Sequence, residues 1–342
     1  MSINNSDGVS LFWHTPFLFA KLLVIFLLVC YNLIEPDRIG ALFKMTVVLE
    51  QLLILYIFLF IGWLFGKIKK TLPSQTGILS FLLVNLFLPT KVFTSFSKNF
   101  TVSYFKERYD AIIISVILLA ALHFASIYVA KLLTKKGYEQ KVYRYTLTIA
   151  NYAYMGYALS ESLFGEAGLT DMILFCIPFA IYTYTFGYAM LTGSGTSVKR
   201  IFNPITVAII LGMVFGLFGI SLPDAVNGIL GMSSACVAPV SMVLTGLTLS
   251  MFSFKELIGD IKAYIVVALR LVVLPAIIFG ICKLLRLDVI NSALLMSCMP
   301  SGLNTIVFPR LVDEDCKPGA RLALISHIFS LATIPLWLSL LM

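Results

Sequence analysis

Two stretches of the sequence place small polar residues, glycine and proline within otherwise apolar surroundings. The first, TLTIANYAYMGYALSESLFG, contains the candidate site residues Asn151 and Gly156. The second, LLMSCMPSGLNTIVFPRL, contains the candidates Pro300, Ser301, Gly302, Asn304 and Thr305. Because proline lacks a backbone donor and clashes with the preceding turn, Pro300 predicts a broken or kinked helix. A break would leave backbone groups free to bind a polar ligand, whereas an ordinary kink with internally bonded side chains gives the same pattern.

Two cations also lie inside apolar segments, and these are the remaining candidate substrate-binding residues, Lys91 and Arg270. A cation that lines a membrane cavity attracts a carboxylate, and arginine can hold one through two parallel hydrogen bonds. The structural alternatives are an internal ion pair, for example between Arg270 and Glu161, or a Lys91 side chain that reaches towards the membrane surface. The isolated histidines His123 and His327 are candidates for proton coupling.

The composition defines the class of protein that must position these residues. Of 342 residues, 59% are hydrophobic and only 12% are charged, whereas soluble proteins carry roughly 25% charged residues. The apolar runs recur along the whole chain, which predicts an all-α integral membrane protein in the cell membrane. The net charge is +8, and the Lys and Arg residues fall between these runs. This distribution is typical of membrane topology and not of nucleic-acid binding.

Ten apolar segments after Met45 are long enough to span a bilayer, which needs about 20 residues per helix. The predicted spans are 46–66, 76–97, 110–133, 145–164, 170–191, 203–220, 224–252, 262–285, 289–311 and 319–341. The two polar stretches therefore fall in the fourth and ninth spans.

The loop charges predict which side each loop faces. If the loop after the first span is cytoplasmic, the loops on that side hold 15 basic residues and the opposite loops hold 5. Cytoplasmic loops are enriched in Lys and Arg, so both ends of the ten-helix core are expected to face outwards. Residues 1–44 form an extension in which the stretch 16–34 predicts an eleventh helix. An interfacial helix and a true start at Met45 are the alternatives for this extension.

An internal repeat divides the chain into halves. IGWLFGKIKKTLP and LGMVFGLFGISLP match at a separation of 150 residues, which places Gly62 on Gly212 and Gly66 on Gly216, and Pro89 lies 150 residues before Pro239. Because each half spans five times, the second copy enters the membrane from the opposite side. The predicted units are the extension 1–44, a first repeat 45–191, a cytoplasmic linker 192–202 and a second repeat 203–342. The paired G-x-x-x-G sequences predict close helix packing.

Four segments of the chain combine glycine, proline and polar residues with apolar runs: NLFLPTKVF (85–93), NPITVAIILGMVFGLFGISLP (203–223), APVSMVLTGLTLS (238–250) and MPSGLNTIVFPRL (299–311). Together these segments resemble the auxin efflux carrier family of permeases, including its bacterial malonate and malate permease branch. The resemblance implies ten helices in two inverted five-helix repeats, with broken helices crossing in the fourth and ninth spans, and it implies carboxylate substrates.

The resemblance also implies roles for particular residues. The family's asparagine and glycine of the fourth span fall on Asn151 and Gly156, and its Pro-Ser-Ala of the ninth span falls on residues 300–302. The chain departs from the family where Tyr157 and Ala158 replace a proline, and where Gly302 replaces an alanine. Both departures bear on the substrate more than on the fold.

These features predict a secondary transporter for a small organic anion, a mono- or dicarboxylate, that works by alternating access. The expected coupling ion is a proton, because no cluster of carboxylates is present for sodium, although backbone carbonyls at the breaks could bind sodium. A homodimer is compatible with this architecture. A cation/proton antiporter or a membrane receptor or channel are the alternatives. The chain lacks H-E-x-x-H, G-x-S-x-G and P-loop motifs, so neither an enzyme nor a cofactor or metal is expected.

Overall fold

The computed structural model describes residues 39–69, 73–135 and 137–341. The predicted helix 16–34 lies outside these residues. The first described helix, α1, runs from Ile39 to Lys69, so it begins six residues before Met45 and includes the end of the predicted extension.

The described residues form helices, with a single isolated backbone bridge and no named strand. After α1 come α2 (Pro73–Leu82), α3 (Leu88–Asn99), α4 (Val102–Leu133), α5 (Gly137–Thr148), α6 (Tyr157–Tyr182), α7 (Tyr188–Thr192), α8 (Pro204–Leu217), α9 (Asp224–Ala235), α10 (Val237–Ser250), α11 (Phe254–Ile258), α12 (Ile261–Ala268), α13 (Leu274–Leu284), α14 (Ile290–Cys298), α15 (Asn304–Arg310) and α16 (Lys317–Ser339). Four π-helical turns, Leu83–Phe87, Tyr152–Gly156, Thr183–Gly187 and Leu269–Val273, join neighbouring helices or begin one.

Seven helical stretches in the described part of the chain are long and apolar enough to cross a membrane. They are Met45–Ile68, Gln75–Asn99, Val102–Leu133, Tyr152–Thr192, Asp224–Ser250, Ile261–Leu284 and Lys317–Ser339. The chain is thus a multi-pass membrane protein. The predicted number of ten is larger for three reasons: α8 has only 14 residues, the ninth span is interrupted, and Tyr152–Thr192 contains a sharp bend at Gly165, where φ is 69°.

Local sequence explains where several helices begin. Asn203 accepts hydrogen bonds from the backbone N–H groups of Ile205 and Thr206, and Pro204 occupies the first helical position of α8, where its missing N–H has no cost. Thr101 caps α4 and Asp260 caps α12 through the same kind of contact. These caps satisfy backbone donors that lack an acceptor within their own helix.

One group of helices packs through glycine. We call α1–α3 and α8–α10 the frame; within it, α1 packs along α10 and α3 along α8. A Cβ atom at Gly62 would collide with the carbonyl oxygen of Val243, and one at Gly246 with that of Leu59. A Cβ at Gly216 would lie 2.5 Å from the Phe96 and Phe100 carbonyl oxygens. Close packing by the G-x-x-x-G segments is therefore confirmed at Gly62 and Gly216.

The remaining helices, α4–α7 and α11–α16, pack mainly against one another, and we call them the crossing bundle. Large side chains such as Tyr143, Tyr145, Phe175 and Phe179 are fully buried here. The bundle meets the frame chiefly where α6 contacts α1 and α3, and where α16 contacts α1. Both polar stretches singled out in the sequence lie in this bundle.

Candidate functional site

Two helix interruptions meet at the centre of the crossing bundle. α5 ends at Thr148 and helical structure resumes at Tyr152, while α14 ends at Cys298 and α15 begins at Asn304. The Asn151 N–H donates to the carbonyl oxygen of Pro300 over 2.8 Å, and Ala150 and Ser301 form an antiparallel bridge. The breaks predicted from the fourth and ninth spans are therefore both present, and they run side by side in opposite directions.

Side chains from neighbouring helices satisfy part of the exposed backbone. The Ser301 N–H donates to Ser326 Oγ on α16 over 2.9 Å, and the hydroxyls of Ser301 and Thr146 lie 3.3 Å apart. The carbonyl oxygen of Asn151 accepts from the N–H groups of Met155 and Gly156, both at 3.3 Å. The interruptions are thus fixed in place by hydrogen bonds, which unpaired backbone in an apolar environment requires.

A cavity lies beside the interruptions. It is lined by Leu88, Ile149, Ala150, Asn151, Tyr152, Ala153, Tyr154, Tyr157, Ala180, Thr183, Tyr184, Ile205, Gly302, Leu303 and Asn304. No charged residue is in this lining. The cavity therefore combines an aromatic wall with a few neutral polar groups, which is the usual character of a small-molecule site.

The polar groups of this lining include several hydrogen-bond donors. The Asn151 side chain is 3% exposed, and its Nδ2 atom has no hydrogen-bond partner. Asn304 Nδ2 donates to the hydroxyl of Tyr145 over 3.1 Å. A helix begins at Tyr152, so the N–H groups of its first turn lack acceptors in their own helix and carry a partial positive charge of about +0.5. Such a set of donors suits a carboxylate or another oxygen-rich group.

Three further predicted site residues have mainly structural contacts. A Cβ at Gly156 would lie 3.1 Å from Met172 Cε and 3.4 Å from Met299 Cγ, so this glycine permits close packing. The Thr305 hydroxyl donates to the Gly302 carbonyl over 2.9 Å. Pro300 accepts the hydrogen bond from Asn151. Of the predicted site residues, those that line the cavity are Asn151, Gly302 and Asn304.

Lys91 lies away from this cavity. Its Nζ atom is 2.5 Å from Glu161 Oε2, with side-chain exposures of 6% for Lys91 and 42% for Glu161. Both residues line a separate cleft, where Lys98 also pairs with Glu166 over 3.1 Å. The two ion pairs join α3 of the frame to α6 of the crossing bundle, and α9 of the frame completes the lining of the cleft. The structure therefore places Lys91 at the boundary of the two groups.

Arg270 lies behind the interruptions and does not line the cavity. It is fully buried, and it donates to the carbonyl oxygens of Leu147 over 3.4 Å and Met296 over 3.1 Å. The pairing of Arg270 with Glu161 raised as an alternative is wrong, because Glu161 pairs with Lys91. In the described part of the chain, no carboxylate forms an ion pair with Arg270.

The sequence prediction missed most of the aromatic wall. Tyr152, Tyr154, Tyr157 and Tyr184 line the cavity together with Thr183. The signal available in the sequence was the density of tyrosines directly after Asn151, but Thr183 and Tyr184 come from a different span. The two histidines lie elsewhere: His123 Nδ1 is 2.8 Å from the Tyr182 hydroxyl, and His327 Nδ1 is 2.7 Å from the Ala323 carbonyl oxygen.

Comparison with known proteins gives a consistent match over nearly the whole described chain. The sequence profile of the family described as membrane transport protein matches residues 47–200 and 193–338. An "uncharacterized transporter" of Methanothermobacter thermautotrophicus is 25% identical over 299 residues, covering 84% of this chain and 96% of the relative. A second, from Methanocaldococcus jannaschii, is 28% identical over 309 residues, covering 84% and 97%. The "uncharacterized transporter YfdV" of Escherichia coli K12 is 19% identical over 307 residues, covering 86% and 98%.

Proposed function

Because the chain belongs to the membrane transport protein family, we propose that it is a secondary transporter that moves a small organic anion, a mono- or dicarboxylate, across the cytoplasmic membrane. The proposed activity involves no covalent chemistry. The observation that carries the proposal is the cavity beside two joined helix interruptions, with the unpartnered amide of Asn151 in its wall.

The proposed architecture is ten spans in two inverted five-helix repeats, 45–191 and 203–342, joined by a linker at 192–202. The sequence repeat of 150 residues supports it, because the same separation relates Asn151 in the first interruption to Ser301 in the second. The frame adds further support. In a repeat of this kind the first span corresponds to the sixth and the second to the seventh, so the α1–α10 pairing corresponds to the α8–α3 pairing.

The anion preference rests on the donors in the cavity wall. Asn151 Nδ2, Asn304 and the first-turn N–H groups after Tyr152 supply hydrogen bonds and a partial positive charge. Neutral donors are solvated when the cavity opens to water, and their desolvation when it closes costs less than the desolvation of charged groups. Lys91 does not line this cavity and its charge is balanced by Glu161, so it is not part of the proposed anion site.

Alternating access is proposed to come from movement of the crossing bundle against the frame. The frame is held by backbone contacts at glycines, which leave little freedom. The boundary between the groups is polar: Ser95 and Thr170 hydroxyls lie 2.8 Å apart, beside the Lys91–Glu161 and Lys98–Glu166 pairs. Hydrogen bonds and partly exposed ion pairs exchange readily with water, so this boundary is suited to repeated opening.

The proposed coupling ion is a proton. The cavity lining contains no Asp or Glu, and the described residues contain no cluster of three or more His, Cys, Asp and Glu side chains that could hold a metal ion. Sodium bound by backbone carbonyls at the interruptions is the alternative.

The test is uptake of labelled malonate and phenylacetate into proteoliposomes, with Asn151→Ala compared with the parent protein. Loss of a buried donor to a charged group is expected to weaken apparent affinity by about 1.5–3 kcal/mol, roughly ten- to a hundredfold. Asn85→Ala is the matched control, because the Asn85 side chain donates to the Phe81 carbonyl one turn earlier and does not line the cavity. Its uptake should equal that of the parent.

The alternatives predict other results. Exchange of protons for sodium or potassium, with no carboxylate uptake, would indicate a cation/proton antiporter. Saturable binding of a ligand without concentrative uptake would indicate a receptor. Equal uptake by the Asn151 and Asn85 variants would remove this cavity as the site.

A further inference from the structure

Arg270 is the largest of the fully buried side chains in the described residues. It lies in the π-helical turn Leu269–Val273 between α12 and α13. Its two terminal nitrogens donate to different elements: Nη1 to the Leu147 carbonyl and Nη2 to the Met296 carbonyl. Its Nε atom has no partner. A guanidinium group therefore lies in the interior, held only by backbone oxygens.

The two acceptors share a position in their helices. Leu147 is the last residue but one of α5, and Met296 lies in the final turn of α14. The last carbonyls of a helix have no intrahelical donor, and each helix C-terminus carries a partial charge of about −0.5. Both helices end at the interruptions, so two negative ends converge behind the cavity. The partial charges of the two helix ends together amount to about −1, which balances the positive charge of Arg270.

Without this arginine the two helix ends would create a negative potential beside the cavity. Leu147 lies only two residues before Ile149, which lines the cavity, so an anion bound there would be repelled. With Arg270 in place, the C-terminal charges are cancelled. The positive N-terminal end at Tyr152 then remains as the uncompensated backbone charge in the wall.

We propose that Arg270 is the specificity-determining residue for anions, acting through the helix ends without touching the substrate. This inference rests on the proposed function. The site does not need a guanidinium for packing alone, since a buried and incompletely bonded cation is costly and an apolar side chain of similar volume would be more stable there. Arg270, Leu147 and Met296 all belong to the crossing bundle, so the charge travels with the cavity when the bundle moves.

Two variants separate charge from shape. Arg270→Lys keeps the charge but has one nitrogen and cannot span both carbonyls, while Arg270→Met keeps length and removes the charge. At a separation on the order of 10 Å and an effective dielectric constant of about 20, a unit charge changes anion binding about tenfold. Binding of phenylacetate and malonate is measured on the purified protein against their uncharged amides, phenylacetamide and malonamide.

We expect Arg270→Met to lose about tenfold in its preference for carboxylate over amide, with amide affinity unchanged. Arg270→Lys should keep most of the preference for carboxylate over amide, because the charge remains. Its transport rate should fall, because lysine cannot bond both helix ends at once. A parallel loss of carboxylate and amide binding would show a purely structural role and overturn the inference, as would an unchanged preference in Arg270→Met.

A second measurement does not depend on the folding of either variant. A fully buried charge is poorly screened by salt, so phenylacetate affinity of the parent should change less than twofold between 0.05 and 0.5 M KCl. A tenfold or larger loss would assign the selectivity to exposed cations and overturn the inference. A parent protein that binds neither carboxylate overturns the proposed function and this inference with it, whereas a parent that binds them with Arg270-independent preference overturns this inference alone.

Discussion

The frame and the crossing bundle solve the same problem, that of packing helices in an apolar solvent, in different ways. In the frame, glycines bring backbones into direct contact, and the buried polar atoms without partners there are hydroxyls, those of Thr94, Ser233 and Thr248. Among the described residues, the crossing bundle leaves one hydroxyl unpartnered and also several nitrogens: the amide of Asn151, the imidazole Nε2 of His327, and the guanidinium Nε atoms of Arg144, Arg270 and Arg321; the hydroxyl is that of Thr333. Such nitrogens cost more to bury than a hydroxyl. The difference fits a rigid frame and the binding role that we propose for the crossing bundle.

The largest effect is expected where this rigidity is removed. Gly246→Ala places a Cβ against the carbonyl oxygen of Leu59, so α1 and α10 must separate. We expect the free energy of unfolding to fall by about 3 kcal/mol or more. The loss should be seen as aggregation, or as disappearance of the monodisperse peak in size-exclusion chromatography.

The control for this variant is Gly228→Ala in α9, where a Cβ meets nothing within 4 Å. Alanine is the better helix former, so this variant should be as stable as the parent or slightly more so. If the two variants unfold at the same temperature, the frame is not held by its glycine contacts and the comparison fails.

An intermediate effect is expected at the boundary between the two groups, where Lys91 pairs with Glu161. Glu161→Gln removes the negative charge that pairs with Lys91, whose side chain is only 6% exposed. We expect the free energy of unfolding to fall by about 3 kcal/mol. Lys91→Gln leaves a carboxylate that is 42% exposed and able to reach water, so its cost should be about 1 kcal/mol or less. Thermal unfolding in detergent measures both.

The double variant Lys91→Gln/Glu161→Gln completes a mutant cycle and should recover much of the stability lost in Glu161→Gln. Lys98→Gln tests the neighbouring pair, whose side chains are 47% and 59% exposed, and it should change stability little. Equal losses in Glu161→Gln and Lys91→Gln would mean that the lysine is not held in an apolar environment.

The smallest effect is expected inside the bundle, at the glycine that departs from the family pattern. A Cβ at Gly302 would lie 3.5 Å from the Ala150 carbonyl oxygen, an ordinary contact. Gly302→Ala should therefore keep the parent's stability within about 0.5 kcal/mol while removing space from the cavity. Binding of the larger phenylacetate should weaken relative to malonate.

Gly319→Ala provides the contrast on the adjacent helix, because its Cβ would collide with the Thr305 carbonyl, and it should be strongly destabilised. A Gly302→Ala variant that unfolds as readily as Gly319→Ala would show that the interruption tolerates no added atom.

Sequence reasoning located both interruptions because breaks in a membrane helix require residues with particular backbone properties, and Asn151, Gly156 and Pro300 have them. It also found the glycine contacts at Gly62 and Gly216, since small residues at a four-residue spacing form a local pattern. It could not assign Arg270, because a buried cation in the sequence indicates a ligand or an ion pair, and its actual acceptors are backbone carbonyls 123 and 26 residues away. The Lys91–Glu161 pair was also missed, because its two residues are 70 positions apart in the sequence.

The uncharged tyrosine wall of the cavity has a consequence for how such proteins diverge. Tyr152, Tyr154, Tyr157 and Tyr184 shape the space, while the joined interruptions behind them depend on backbone hydrogen bonds. Exchange of one tyrosine for a smaller residue therefore alters which molecules fit and leaves the backbone bonds at the interruptions intact. In the proposed carrier, the range of accepted substrates can therefore change through a single substitution in the cavity wall while the scaffold stays the same.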